Sequence, residues 1–180
     1  KDEASLLAQM RALPQEALER APVFLPYLSG ERTPHNDAAA RGAFLGLDHD
    51  TSAATLAYSV LEGVSFGLLD GMSALRAAGT QVERLALVGG GSKSPEWAQL
   101  LASGLEIEIV TAPGAEAGAA LGAARLGWLA ASGDEAEVCT APEGGQRFRP
   151  NPAQRERLLP RYEKFRAAYP RLKDLFANRA

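Results

Sequence analysis

The sequence predicts an α/β protein, a layered sheet covered by helices, on three observations. Between residues 84 and 131 the order strand, helix, strand, helix appears, an alternation that feeds parallel strands through crossover helices. A long amphipathic helix pattern precedes it, from Thr51 to Ala78. A triple glycine, Gly89-Gly90-Gly91, closes the first of those strands just ahead of a well-marked helix start.

Residues 3–12 read as a short flanking helix that Pro14 ends or interrupts, because proline has no N–H for the helical ladder and restricts the residue before it. Residues 23–28 are apolar and β-prone, but Pro26 would remove a ladder hydrogen bond and confines this segment to an edge or irregular position. A polar loop, 29–39, follows. Residues 42–47 (Gly-Ala-Phe-Leu-Gly-Leu) are short and apolar between polar flanks, which predicts a buried strand, with helix as the competing reading.

From Thr51 the period changes. Leu56, Val60, Val64, Leu68 and Met72 recur every four residues and predict the buried stripe of a helix, widened by Leu61, Leu69 and Leu75 and capped by Gly79. At 1.5 Å per residue it is about 40 Å long. Asp70-Gly71 marks a place where it could kink.

Residues 84–88 (Arg-Leu-Ala-Leu-Val) form a near-continuous apolar run, as expected of a strand covered on both faces. Ser94-Pro95-Glu96 combines an N-cap, a proline preset for the first helical position and a carboxylate that suits the dipole, and predicts a helix to about Leu101. Leu105, Ile107 and Ile109 alternate with Glu106 and Glu108, predicting a strand with one wet face. Residues 115–131 read as an Ala/Gly-rich helix in which Gly118 and Gly122 allow close backbone approach. Residues 132–146 are polar, with Gly and Pro, and predict a loop. Asn151-Pro152 starts a last helix, 152–174, whose Leu158, Leu159, Tyr162, Phe165, Tyr169, Leu172 and Phe176 read as packing.

Length and composition narrow the function classes. With 180 residues and 46% hydrophobic against 23% charged, the chain can bury one globular core. A net charge of -3, spread along the length, supplies no field to collect nucleic acid or anionic lipid, so neither nucleic acid nor membrane is an expected partner. The apolar zone near residues 56–75 is broken by Glu62 and Asp70, short of a membrane span. A single cysteine, Cys139, excludes an internal disulfide and points to a reducing, cytoplasmic setting or to a protein indifferent to redox state. The start Lys-Asp-Glu-Ala-Ser has neither an initiator Met nor a signal peptide, so the chain reads as beginning partway through something longer.

The strongest chemical signal is the segment Gly89-Gly90-Gly91-Ser92-Lys93-Ser94, because a glycine turn running into a helix start exposes unpaired N–H groups and lets a ligand approach the backbone. It fails the GxGxxG pattern at Ser94, and fails the P-loop because Ser92 precedes Lys93. A ligand turn and a plain tight βα turn both stay open. His35 near Asp37 suggests acid/base work, but a salt-bridged loop shaped by Glu31 and Arg32 is the favoured reading. His49 reads as a helix-start residue, and Cys139 has no neighbouring His to make it a nucleophile. No paired Cys/His spacing supports an all-protein metal site. Trp97 reads as core rather than as the wall of a base pocket.

Five ordered blocks now combine: Phe24-Leu-Pro-Tyr-Leu-Ser-Gly-Glu-Arg-Thr-Pro-His35, Gly42-Ala-Phe-Leu-Gly-Leu47, Leu61-Glu-Gly63, Leu87-Val-Gly-Gly-Gly-Ser92 and Ala119-Ala-Leu-Gly-Ala-Ala124. Together they resemble the C-terminal half of the FGGY carbohydrate kinases, with 22–131 as the core match, 132–150 as linker and 151–176 as a C-terminal helix. Thr55 departs from the family signature, which has an acidic or amide residue there, and is expected to cost a local cap contact. Within the family the Ser29-Gly-Glu-Arg-Thr-Pro-His35 loop is most similar to that of kinases acting on D-xylulose.

The resemblance implies an actin-like, ribonuclease H-like fold, in which two α/β domains flank a cleft and ATP, with Mg2+, phosphorylates a sugar hydroxyl whose proton an Asp accepts. It implies that Gly89, Gly90, Gly91 and Ser92 border the adenosine with Ser94 nearby, and that the helix around 119–124 packs behind them. The sugar site and the catalytic Asp, set in a Gly-Asp-Asn type turn, precede this segment in the family, and no such turn occurs here, so no catalytic residue is assigned. The expected function is the adenosine-binding part of an enzyme making D-xylulose 5-phosphate, inactive as this chain alone. The alternatives are a stand-alone adenine-nucleotide-binding or interaction module, or a kinase for gluconate or ribulose. An exposed domain-contact surface would allow a homodimer.

Overall fold

A computed structural model describes residues 3–140 and 144–177. In chain order the elements are α1 (Glu3–Arg11), α2 (Gln15–Arg20), β1 (Val23–Leu25), β2 (Ala43–Leu45), α3 (Ala53–Ala77), β3 (Arg84–Ala86), α4 (Pro95–Leu105), β4 (Glu108–Val110), α5 (Gly118–Ala130), α6 (Glu135–Val138), β5 (Arg147–Phe148) and α7 (Pro152–Ala177). Two compact units form where length and composition predict one core: residues 1–81 with 152–180, and residues 82–151. Among the described residues no helix is long and apolar enough to cross a membrane.

The first unit is built on α3. Pro14 interrupts rather than ends the N-terminal helical region, since its extended backbone leads into α2, which sequence reading did not anticipate. Met10 is buried and α1 packs on α3, so α1 is more than a flank. Strand β1 stops before Pro26 and, among the described residues, pairs with β2 alone, antiparallel, with Phe24 opposite Phe44 and their rings 4.5 Å apart. Gly63 lets α3 lie against β1, because a Cβ there would run into the Phe24 carbonyl oxygen.

Helix α3 spans the expected length without a break at Asp70-Gly71, but its buried face follows the expected stripe only in part, with Leu69 and Met72 buried as expected. Val60, Leu68 and Leu75 are 40%, 47% and 49% exposed, while Thr55, Ser59, Glu62, Phe66 and Leu69 are buried. The serine hydroxyls of that face are satisfied locally. Ser59 donates to the Thr55 carbonyl at 3.0 Å and Ser65 to the Leu61 carbonyl at 2.7 Å, a back-bonding that hides hydroxyls inside a helix. Helix α7 covers part of this unit with Leu158, Arg161, Phe165, Ala168 and Tyr169, spaced three and four apart. Phe165 meets Phe66 at 5.5 Å and Tyr27 at 6.1 Å. Pro160 and Pro170 lie inside α7, each removing one ladder donor from a helix that continues.

In the second unit β3 runs parallel to β4, with α4 between them in sequence, and β5 adds antiparallel to β4. Helix α4 extends four residues past the predicted end because Leu100, Leu101 and Leu105 bury together at helical spacing. Leu105 therefore belongs to the helix, and the chain turns into β4 through Glu106 at φ 59°. Strand β3 is not covered on both faces: Arg84 and Ala86 are exposed. Residues 132–146 hold a short helix, α6, whose Asp134 cap accepts from the Ala136 amide at 2.7 Å and whose Val138 is buried. Residues 141–143 of that predicted loop lie outside the described residues.

Candidate functional site

The glycine turn follows β3 directly. Leu87 continues the pairing, its N–H donating to the Val110 carbonyl at 2.8 Å. Gly89 then takes φ 84°, a conformation that L side chains rarely adopt, and its N–H donates to the Ala115 carbonyl at 2.7 Å. Residues Gly90–Lys93 wind into one 3-10 turn. The amide and hydroxyl of Ser92 both donate to the Gly89 carbonyl, at 3.0 and 2.7 Å. The Ser94 amide donates to the Gly91 carbonyl at 3.1 Å, and its hydroxyl oxygen accepts from the Trp97 amide at 3.2 Å as the cap of α4.

The five predicted residues Gly89, Gly90, Gly91, Ser92 and Ser94 thus share one continuous turn, in which the two serines hold the shape. Gly90 is the open position, with no atom within 4 Å of where a Cβ would stand. Among the described residues the Gly90 and Gly91 amides have no hydrogen-bond partner. Gly91 is different, since the space a side chain would take is filled by the six-membered ring of Trp97. Trp97 is half-buried, which departs from a plain core reading.

The backing of the turn is narrower than expected. A Cβ on Gly118 would stand 3.3 Å from the Gly89 nitrogen, so the start of α5 lies close, but Gly122 has open space around it and α5 buries no residue. Contact with the turn comes from Ala115 and Gly118, not from residues 119–124. What results is a backbone surface with two unpartnered N–H donors and open space at Gly90, which suits a ligand carrying acceptor atoms. Among the described residues no group of three His, Cys, Asp or Glu side chains could hold a metal ion.

His35 lies in the first unit and is held on every side. Its ring stacks on Tyr169 at 3.8 Å, its Nε2 is 3.5 Å from the Tyr27 hydroxyl, and its amide donates to Glu31 Oε2 at 2.8 Å. Glu31 also accepts from the Thr33 amide at 2.6 Å, and the Tyr169 hydroxyl donates to Asp37 Oδ2 at 2.7 Å. That bond is the main reason the Asp37 carboxyl sits below its ordinary range, while burial and the Asp37 carboxylate push the Tyr169 hydroxyl up to about 12. The shape-holding reading of this loop stands, with one correction. Glu31 acts through backbone amides, and Arg32 is exposed and in no ion pair among the described residues. His49 is exposed ahead of α3, and Cys139 is exposed after α6.

One cluster escaped sequence reading. Arg161 grips Glu62 through Nε at 2.7 Å and Nη2 at 2.6 Å, and donates to the carbonyls of Glu19 and Ala21 at 2.8 and 2.9 Å. Tyr58 adds a third donor to Glu62 at 3.1 Å. Burial pushes the Glu62 carboxyl up and Arg161 opposes it, while burial and Glu62 drive the Tyr58 hydroxyl far above its usual value. Thr55, the departure from the signature, loses no cap contact: its amide donates to Ser52 Oγ at 3.1 Å and the two hydroxyls pair at 2.8 Å.

A glycine turn between a parallel strand and a capped helix, followed by a second strand and a glycine-led helix, defines a class. Residues 1–131 match the FGGY family of carbohydrate kinases, C-terminal domain, and the chain belongs to that family. It is 43% identical over 172 residues to the xylulose kinase of Escherichia coli K12, covering 92% of this chain and 35% of that protein. The Klebsiella pneumoniae xylulose kinase is 43% identical over 159 residues, 86% of this chain and 32% of that protein. Among solved structures, ligand-bound xylulose kinase from Lactobacillus acidophilus superposes with a TM-score of 0.78 at 28% identity, over 100% of this chain and 36% of that one. Gluconate kinase from the same organism gives 0.76 at 29%, over 98% of this chain and 36% of that one. The α/β fold is therefore of the actin-like ATPase class expected from the sequence. The chain spans about a third of the length of the curated relatives it matches.

Proposed function

We propose that this chain is the adenosine-binding part of an ATP-dependent sugar kinase that converts D-xylulose to D-xylulose 5-phosphate in the cytoplasm. The observation that carries this reading is the 43% identity to the Escherichia coli xylulose kinase over 92% of the chain. The glycine turn supports it in chemical terms. The Gly90 and Gly91 amides would donate to the nucleotide, the bare Gly90 leaves room for it, and Ser92 and Ser94 hold the turn in place. ATP supplies the phosphoryl group, and its Mg2+ would be held chiefly by the phosphates. This chain's own part is positioning, which lowers the barrier by fixing geometry rather than by moving protons.

The test is a coupled ADP-release assay of the full-length protein with D-xylulose, D-ribulose and D-gluconate. Turnover is expected to be fastest with D-xylulose and absent for the 180-residue chain alone. A full-length protein that prefers gluconate would replace the sugar, a second reading favoured by the gluconate kinase neighbour at 29% identity. An isolated chain that phosphorylates xylulose would overturn the reading that the reaction centre lies elsewhere.

A further inference from the structure

The relation between Gly91 and Trp97 carries an inference beyond family membership. A residue without a side chain usually leaves a hole, and here that hole is filled from six residues downstream: the place of a Cβ on Gly91 is taken by the Trp97 ring. Trp97 is itself fixed by its amide, which donates to Ser94 Oγ at 3.2 Å, and Ser94 is tied back to the Gly91 carbonyl at 3.1 Å. The two residues therefore close a small loop of contacts around the turn. The backbone at Gly90 and Gly91 cannot collapse onto α4, because a rigid aromatic ring occupies the space it would move into. The Gly89 amide is bonded to the Ala115 carbonyl at 2.7 Å. The turn is wedged at Gly91 and tethered at Gly89.

We propose that Trp97 is a positioning residue for the nucleotide: its indole aims the Gly90 and Gly91 amides outward, so that their direction is set before the ligand arrives. The inference rests on the reading that this turn borders adenosine. Its contribution is preorganisation, which acts on affinity more than on the chemical step. The ring also makes Trp97 a reporter, since a ligand against the turn would change the surroundings of a half-buried indole.

The experiment uses the full-length kinase and measures KM for ATP, KM for the sugar and kcat in five variants. Trp97→Leu should raise KM for ATP about tenfold, the equivalent of 1.4 kcal/mol, with sugar KM and kcat within about twofold. Trp97→Phe, which keeps a ring, should recover most of the loss. Gly91→Ala should collide with the indole and also raise KM for ATP, and Gly91→Ala with Trp97→Leu should recover toward the single Leu variant because the collision is gone. Gly90→Val tests the underlying reading by itself, since a Cβ there has open space around it and stands where the ligand would lie. If Gly90→Val weakens ATP while Trp97→Leu does not, Trp97 is overturned and the adenosine reading survives. If neither affects ATP, both are overturned. Equal rises in both KM values with a lowered Tm would make Trp97 merely structural. In a protein whose other tryptophans are replaced by Phe, ATP should shift the Trp97 emission; an unchanged spectrum at saturating ATP argues against contact with the turn.

Discussion

Arg161 and Glu62, 99 residues apart in sequence, form a bidentate ion pair of which only 7% and 1% of the side chains are exposed. The same guanidinium takes the last carbonyls of the α2 region, so one side chain joins α7, α3 and α2. A buried pair of this kind is weak evidence of net stability but strong evidence of interdependence, since either charge left alone in the interior is costly.

Arg161→Ala should therefore destabilise the chain by about 3–5 kcal/mol. Urea unfolding followed by far-UV circular dichroism measures it, and Arg161→Lys, which keeps the charge but not the fork, should recover only part. A loss under about 1 kcal/mol, the size of a surface pair, would show that solvent reaches this site.

Two glycines on α3 should respond with opposite sign. Gly63→Ala drives a methyl into the Phe24 carbonyl and should cost about 1–3 kcal/mol, as overpacking does. Gly71→Ala meets open space inside the same helix and should gain about 0.5–1 kcal/mol. Chemical-denaturation midpoints of the pair decide it, and a stabilising Gly63→Ala would contradict the packing of α3 on β1.

Asp37 gives a pH signature. Its folded value is lowered, first by the Tyr169 hydroxyl and then by the Ala39 amide. A lowered carboxyl contributes stability above its ordinary value of 3.8 and loses it as pH falls through the lower folded value. Wild type should exceed Asp37→Asn in Tm above that window, with the gap closing on acidification below it. A gap that held constant into strong acid would mean that Asp37 acts through shape alone.

Removal of α7 by truncation after residue 151 should unfold the first unit and leave the second intact. The cut exposes Phe66 and Tyr27 and strands the Glu62 carboxylate in an apolar setting. Hydrogen exchange would show amides of α3 unprotected while those of α4 stay protected. Protection of α3 in the truncated chain would demote α7 to an accessory.

Sequence reading located most helices because period and caps are local. The Ser94 cap and the Pro95 start appear in the structure as read. It read only part of the buried face of α3, Leu69 and Met72 among it, because it sought apolar residues, whereas that face also carries Ser59, Glu62 and Ser65, each satisfied by a partner that hydropathy does not register. The partner of Glu62 lies 99 residues away and has no local signal. Strands were overextended, as at Leu105, because alternation over a few residues cannot reveal a helix that ends by burying its last leucine. At the turn the strand end, the glycines and the serine cap were legible, yet the contact of Trp97 with Gly91 was not, since nothing in the sequence shows a ring folding back onto a glycine six positions earlier.

The discontinuity of the first unit, residues 1–81 with 152–180, sets an order on synthesis. On the ribosome α3 emerges long before Arg161, so the buried carboxylate of Glu62 must wait, solvated, while the whole of residues 82–151 is translated. The unit that begins first is completed last. The intervening unit can close its sheet while still tethered, and a nascent chain stalled before α7 would hold the glycine turn formed while Glu62 still lacks its partner.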